Sequence, residues 1–104
     1  MSDIPAYMIA NLVVNDADEY HKYEKGFFPI LKRFGGEFFT FDDKHENLEG
    51  SDPLEGRVIL FKFPSEQAAK DWYNDDEYQA LSEFRRAGTN LNSLTLVHGL
   101  PPRE

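Results

Sequence analysis

The sequence contains no cysteine, and this absence excludes disulfide bonds, thiolate catalysis and thiolate-based zinc sites. It also lacks an apolar run long enough to cross a membrane. The first residues, MSDIPAYMIANLVV, show no basic segment of the kind that begins a signal peptide. We therefore expect a soluble, cytoplasmic protein with no membrane partner.

Basic residues are scarce, because eleven Lys and Arg stand against nineteen Asp and Glu, for a net charge of −8. A nucleic-acid-binding surface needs a basic stripe to neutralise phosphates, and no such stripe is visible, so we exclude nucleic acid as a partner. Residues 42–56 hold six of the acids and one lysine. We interpret this segment, the acidic loop, as a solvated surface loop.

Aromatic residues are abundant, with nine Phe, five Tyr and one Trp in 104 residues. A chain of this length forms a single domain, residues 1–104, and buries only a modest core. We therefore expect some of the aromatic surface to pack against a second subunit.

Four segments have the composition of β-strands. Residues 6–14 and 57–63 are apolar on both faces, which is typical of central strands covered on two sides. Residues 37–41 and 94–100 are predicted as the other two strands. Residues 46–49, within the acidic loop, are a candidate for a short strand extension.

The first helix is predicted to begin after Asp16, because Glu19 stands three residues further on and completes a capping-box spacing. Apolar residues then recur at steps of three and four, the period of a helix with one buried stripe. They are Tyr20, Tyr23, Phe27, Ile30 or Leu31, and Phe34. Pro29 lies inside this pattern and is expected to kink the helix or to divide it after Phe28.

The second helical region is predicted in two pieces. Ser65 caps the first piece, directly after Pro64 has ended the preceding strand. Asn74 and Glu77 repeat the capping-box spacing, so we expect the helix to restart at Asn74. Gly88 is expected to end the second piece.

The order strand, helix, strand, strand, helix, strand predicts the ferredoxin-like βαββαβ fold, an α+β class. Two right-handed crossovers then give a four-stranded antiparallel sheet with all helices on one face. The other face would expose apolar residues of the central strands, and monomers rarely leave such a patch open. We therefore predict a homodimer through the open face of the sheet.

The motif FPSEQAAKDWYNDDEYQAL, residues 63–81, resembles the hallmark of a small bacterial family known as domain of unknown function 1330. Further elements resembling that family stand in order along the chain: Tyr7 to Ala10, the spacing of Asp16, Tyr20 and Tyr23, Gly35-Gly36, Leu48-Glu49-Gly50, Arg57-Val58 and Arg85. The resemblance implies a dimeric α/β barrel, in which two ferredoxin-like sheets face each other across the dimer. The wider group includes cofactor-free monooxygenases, small-molecule isomerases, decyclising enzymes and haem proteins, but the resemblance implies no particular reaction.

Two polar residues on the predicted strands are candidates for chemistry. Imidazole acts as an acid, a base or a haem ligand, which makes His98 the candidate catalytic residue, although a rim histidine is the simpler interpretation. Asn11 is a polar amide within a doubly buried strand. It is predicted either to orient a ligand or to be satisfied by its neighbours.

Three further residues are predicted to bind a ligand. Arg57 opens the third strand and Arg85 lies on the inner face of the last helix, so either guanidinium can clamp a carboxylate or enolate. The alternative is an ion pair with Glu49 or another acid. Tyr78 shares the helix face of Arg85 and, together with Trp72, is a candidate for an aromatic pocket wall, although a tryptophan at helical spacing is more often a core residue.

No catalytic triad order, phosphate loop or dinucleotide-binding pattern is present in the sequence. The segment His45-Glu46-Asn47-Leu48-Glu49 lacks the second histidine of a zinc-binding helix, so we predict no metal. The leading hypothesis is a homodimer that binds a small apolar or carboxylate-bearing molecule, as a cofactor-free enzyme or a binding protein. The rival hypothesis is a non-catalytic homodimeric module for structure and interaction.

Overall fold

The computed structural model describes residues 4–101, and this part of the chain forms one sheet with three helices. The elements are β1 (Ala6–Val14), α1 (Ala17–Arg33), β2 (Glu37–Asp42), β3 (Arg57–Phe63), α2 (Glu66–Asn74), α3 (Asp76–Gly88) and β4 (Thr89–His98). The strands are antiparallel and lie in the order β2-β3-β1-β4. The ferredoxin-like fold predicted from the sequence is confirmed, with the two apolar strands in the centre.

The hydrophobic core lies between the sheet and the helices. Because side chains alternate along a strand, every second residue of β1 faces the helices, and these residues are Ala6, Met8, Ala10 and Leu12. They pack against the buried stripe of α1 and against Trp72 and Tyr78 of the second helical region. The aromatic stripe predicted for α1 is therefore core.

The opposite face of the sheet is apolar and carries no helix. The intervening residues on the two central strands, such as Ile9 and its pairing partner Leu60, are only partly buried. On the outer strands, Phe39 lies near the ring of Tyr7, and Val97 is exposed. The prediction that one face stays uncovered within a single chain is thus met in the described residues.

The last strand begins earlier than predicted. β4 starts at Thr89, immediately after α3, and pairs with β1 back to Val14, whereas the sequence predicted residues 94–100. Its first half is polar because β4 is an edge strand, and an edge does not require an apolar pattern. A β-bulge at Asn92 shifts the register between Asn11 and Leu12, which hides the alternation further.

Helix α1 is continuous through Pro29, so the predicted division after Phe28 is wrong. Proline removes one backbone hydrogen bond, but Phe27, Ile30 and Leu31 on either side of it are buried and hold both halves against the core. The helix begins as predicted, since the Asp16 side chain accepts a hydrogen bond from the Glu19 amide at 3.2 Å.

The junction between α2 and α3 is shifted by one residue from the prediction. Asn74 is the last residue of α2, and the N-cap of α3 is Asp75. The Asp75 carboxylate accepts a hydrogen bond from the Tyr78 amide at 2.9 Å, which is the geometry of a helix cap. Asp75 also contacts Arg33 at 3.2 Å, and this ion pair connects the ends of α1 and α3.

The acidic loop joins β2 to β3 without regular structure, so the strand extension considered for residues 46–49 is absent. Two hydrogen bonds hold the C-terminal end of this loop, one to β1 and one within the loop itself. The Asn11 amide donates to the Glu55 carbonyl at 2.7 Å, and the His45 ring contacts the Gly56 carbonyl at 2.9 Å.

Within residues 4–101, no helix is long and apolar enough to cross a membrane.

Candidate functional site

A cavity of about 90 Å³ lies between the helix-facing side of the sheet and helices α1 and α3. Most of the lining residues are aromatic or aliphatic, and the residues with polar groups are three tyrosines, two arginines and one glutamate. The lining residues are Ala10, Leu12, Tyr20, Tyr23, Glu24, Phe27, Phe28, Phe38, Phe41, Arg57, Ile59, Phe61, Trp72, Tyr78, Arg85, Leu91 and Leu94. This combination of an apolar wall and a few polar groups is typical of small-molecule sites.

Arg85 is the buried cation of this cavity. Its residue surface is only 5% exposed, and its Nε atom has no hydrogen-bond partner. Within residues 4–101, no carboxylate lies within 4.0 Å of its guanidinium group, which stands 5.8 Å from the centre of the Tyr23 ring. The ion pair considered from the sequence for Arg85 is therefore absent from the described part of the chain. This is unusual, because a buried charge is normally paired.

Two buried tyrosines face each other across the helices. The hydroxyl oxygens of Tyr23 and Tyr78 are 2.8 Å apart and share one hydrogen bond. Burial raises the pKa of Tyr23 well above its usual value, because the phenolate would be desolvated. Burial likewise raises the pKa of Tyr20 to about 12. These side chains therefore carry hydroxyl protons at neutral pH.

Trp72 is one of the aromatic residues that line the cavity. Its ring is fully buried and packs against the Tyr78 ring, with the two ring centres 4.1 Å apart. Its indole Nε1 atom is buried without a hydrogen-bond partner. Indole N–H groups usually find an acceptor when they are buried.

Arg57 stands at the rim of the cavity and is neutralised by the protein. It makes two hydrogen bonds to the carboxylate of Asp43, at 2.8 and 3.0 Å, and a longer contact of 3.4 Å to Glu24. Its guanidinium also lies 4.6 Å from the centre of the Phe41 ring. The hydrogen bonds from Arg57 lower the pKa of Asp43 and raise the pKa of Arg57. The sequence anticipated an acidic partner for Arg57, but that partner is Asp43 rather than Glu49.

Asn11 does not line the cavity, because it lies on the opposite side of β1 from Ala10 and Leu12. It is 1% exposed, and its amide is engaged by protein atoms. It donates to the carbonyls of Glu55 and Arg57 and accepts from the Asn92 side chain at 2.9 Å. Of the two alternatives for Asn11, these contacts agree with an amide whose hydrogen bonds are made by its neighbours.

His98 also lies outside the cavity lining. Its side chain is 62% exposed and contacts the Glu66 carboxylate at the start of α2. The ring is therefore largely exposed to solvent and is not part of the cavity wall. The proximity of the ring lowers the pKa of Glu66, helped by Lys70.

Three of the five predicted site residues thus meet in one cavity, namely Arg57, Tyr78 and Arg85. The sequence reading assigned Tyr20 and Tyr23 to the core alone and overlooked Glu24. The signal that could have found them is the use of tyrosine, rather than phenylalanine, at buried positions of α1 that face Tyr78 on α3.

The fold and the cavity define a ferredoxin-like α+β domain with an aromatic, arginine-containing site between sheet and helices. Over residues 5–100 the sequence matches the family described as Domain of unknown function (DUF1330), and the chain belongs to that family. The resemblance inferred from the sequence motifs is confirmed. The sequence has no significant match among curated proteins.

Solved structures from bacteria share the fold. RPA0582 of Rhodopseudomonas palustris, a protein of unknown function, is 21% identical with a TM-score of 0.78, covering 96% of this chain and 85% of its own. SnoaB, a cofactor-independent oxygenase from Streptomyces nogalater, is 11% identical with a TM-score of 0.60, covering 99% and 96%. A dimeric ferredoxin-like protein of unknown function from Thermobifida fusca is 12% identical with a TM-score of 0.54, covering 92% and 90%.

Proposed function

We propose that this protein binds a small apolar molecule bearing a carboxylate or enolate, and that Arg85 is the counter-ion of the bound anion. The observation that carries the proposal is a buried guanidinium, with an unpartnered Nε, in the wall of an aromatic cavity. A charge held in this way costs stability unless something pairs with it. An anionic ligand supplies that partner.

The two arginines have different roles in this proposal. Arg57 is engaged by Asp43 and Glu24, so its charge is already compensated at the rim. Arg85 has no such partner within residues 4–101, so it is the group that gains most from a ligand. Tyr78 contributes an aromatic ring to the wall and a hydroxyl group that shares a hydrogen bond with Tyr23.

Binding to Arg85 is tested with benzoate as the probe, because it is a compact apolar carboxylate. Trp72 is the one tryptophan of the chain and lines the cavity, so its fluorescence reports occupancy. We expect benzoate to bind the unmodified protein. We expect Arg85→Met to lower its affinity about tenfold or more, because a charged hydrogen bond contributes about 1.5–3 kcal/mol.

The neighbouring arginine on α3 provides the matched control. Arg86 is exposed and bonded to Glu83 and Gln79, so Arg86→Met is expected to leave benzoate affinity unchanged. Equal affinity in the two arginine variants would refute the proposal. So would the absence of any response from the unmodified protein to a panel of benzoate, cyclohexanecarboxylate and hexanoate.

We also propose that two copies pair through the open face of the sheet. The support is the apolar character of that face and the existence of a dimeric ferredoxin-like relative. Such a dimer would enclose Asn11, so a ligand contact for Asn11 is tied to the dimer. The bacterial relatives and the acidic composition support a bacterial, cytoplasmic protein.

Whether the bound molecule is transformed is a separate step of the proposal. A cofactor-free reaction has its support in the fold shared with SnoaB and in protonated tyrosines beside the cavity. His98, the acid or base considered from the sequence, lies outside the cavity lining and has no part in this form of the proposal. We expect His98→Ala to leave benzoate affinity unchanged.

The rival function, a non-catalytic structural module, is favoured by one observation. The cavity volume of about 90 Å³ is small beside the several hundred Å³ of typical ligand pockets. If the protein is a structural module, Arg85 and the tyrosines contribute only to the packing of the hydrophobic core. The benzoate titration separates the two functions, because a structural module gives no arginine-dependent binding.

A further inference from the structure

Two residues of the cavity lining carry buried hydrogen-bond donors that have no partner in the described part of the chain. Within residues 4–101, Trp72 Nε1 and Arg85 Nε are the buried side-chain nitrogen or oxygen atoms without a partner. Both atoms are N–H donors, and both residues line the cavity. Buried polar groups are rarely left in this state, and two in one small cavity point to a missing acceptor.

The tyrosine pair supplies a third donor. Tyr23 and Tyr78 have two hydroxyl protons between them, and their mutual hydrogen bond uses one. Within the described residues, neither hydroxyl bonds any other group. The raised pKa of Tyr23 keeps its proton in place at neutral pH. One O–H therefore remains free to donate.

These donors belong to one continuous cluster. The Trp72 ring packs against Tyr78 with centres 4.1 Å apart, Tyr78 shares its hydroxyl bond with Tyr23, and the Arg85 guanidinium stands 5.8 Å from the Tyr23 ring. The carboxylate in the lining belongs to Glu24, and Arg57 contacts it at 3.4 Å on the rim. The residues of this cluster thus carry donors and a positive charge.

We propose that Trp72 is a ligand-binding residue, and that its indole N–H, the free hydroxyl of the Tyr23–Tyr78 pair and Arg85 form a donor cradle specific for a carboxylate. This inference rests on the proposed function and adds the selectivity of the same site. Two carboxylate oxygens offer about four lone-pair positions, enough for three donors. The matching amide brings N–H donors of its own and leaves part of the cradle unpaired, so the site rejects it.

The test compares benzoate with benzamide by isothermal titration calorimetry on the full chain. Trp72→Phe keeps an aromatic ring and removes the indole N–H, and we expect it to weaken benzoate binding about fivefold to tenfold. The matched control is Tyr73→Phe, because Tyr73 is the neighbouring aromatic of α2, is exposed and does not line the cavity. It is expected to change nothing.

A second variant keeps the test decisive if Trp72→Phe does not fold. Replacing Tyr23 and Tyr78 together by Phe removes both partners of one hydrogen bond, which is close to neutral for stability. We expect this double variant to weaken benzoate several-fold and to reduce its preference over benzamide.

The outcomes separate the two proposals. If the unmodified protein binds none of benzoate, cyclohexanecarboxylate and hexanoate, or binds benzoate equally well without Arg85, the proposed function fails. If benzoate binding depends on Arg85 but benzamide binds equally well, the donor cradle is overturned and the proposed function stands. The same holds if Trp72→Phe and the tyrosine double variant both bind benzoate like the unmodified protein.

Discussion

Arg85 is expected to affect ligand binding and the stability of the empty protein in opposite directions. Its residue surface is 5% exposed, and no carboxylate within residues 4–101 lies within 4.0 Å of its guanidinium group. Replacing a buried charge by an apolar side chain of similar length is neutral or stabilising in many proteins. The stability of the ligand-free protein therefore tests whether Arg85 serves the fold or the proposed ligand.

Arg85→Met is predicted to raise the unfolding free energy of the ligand-free protein by about 1 kcal/mol. For a domain of this size, that corresponds to a rise in melting temperature of about 4–8 °C. Thermal and urea unfolding monitored by circular dichroism measure both quantities, with Arg86→Met as the control. A clear loss of stability in Arg85→Met alone would show that the guanidinium serves the core.

The sequence predicted the site only in part, and single residues explain why. Arg57, Tyr78 and Arg85 were found because charge or aromatic character marks them on a predicted inner face. The unused indole N–H of Trp72 was not predictable, since the lack of a partner depends on every group packed around it. Asn11 was singled out for its burial, but its partners Glu55 and Asn92 are distant in sequence.

At the level of secondary-structure elements, one aspartate controls the junction of α2 and α3. Asp75 ends α2, caps α3 and pairs with Arg33 of α1. The capping-box spacing favoured Asn74 from the sequence, and a shift of one residue is within the ordinary uncertainty of helix boundaries. The position matters here because α3 carries both Tyr78 and Arg85.

Asp75→Ala is predicted to cost about 1 kcal/mol of stability, which is the usual effect of removing an N-cap side chain. Asn74→Ala is the matched control and is expected to be nearly neutral, because Asn74 is exposed. Urea denaturation of both variants measures the difference. An equal or larger loss in Asn74→Ala would assign the cap to Asn74 after all.

The acidic loop is joined to β3 by the ion pair between Asp43 and Arg57. Arg57 lowers the pKa of Asp43 in the folded protein, so the pair stabilises above the unfolded-state pKa of about 4. That contribution is lost as the pH falls through the lower folded-state pKa. The Asp43 side chain is half exposed, so its contribution is small, up to about 1 kcal/mol.

Asp43→Asn is predicted to lower stability slightly at pH 7 and to leave it unchanged at pH 2. The measurement is urea unfolding at both pH values, with Asp52→Asn in the same loop as the control. If Asp43→Asn lost the same amount at both pH values, the effect would not come from the ion pair.

The number and order of the elements were predicted well from the sequence, whereas the junction of α2 and α3 and the bounds of β4 were not. Apolar runs and caps identified both central strands and the start of α1, because those signals are local. The start of β4 was missed because Asn90 and Asn92 resemble a loop, whereas an edge strand tolerates them. At the bulge, the Asn92 side chain donates a hydrogen bond to Asn11, a residue distant in sequence, which no local pattern reveals.

At the scale of the whole molecule, the helices cover one face of the sheet, and the other face, which is apolar, is left uncovered. A change at the centre of the open face tests the proposed homodimer. Ile9 and Leu60 pair there on the two central strands, so Leu60→Lys would place charges against each other across a two-fold axis. We predict a dimer mass for the unmodified protein and a monomer mass for this variant, measured by light scattering at micromolar concentration.

The control for this experiment is Leu48→Lys, which adds the same charge at a fully exposed position of the acidic loop. It is expected to leave the mass unchanged. A monomer mass for the unmodified protein would remove the dimer from the proposal and leave the cavity untouched.

The alternation of side chains along β1 has a practical consequence for engineering. Ala10 and Leu12 belong to the cavity wall, while Ile9 and Val13 belong to the open face. Under the proposed function, assembly and ligand choice therefore depend on alternate positions of a single nine-residue strand. A library that varies only every second position of β1 is expected to change one of these two properties and to leave the other unchanged.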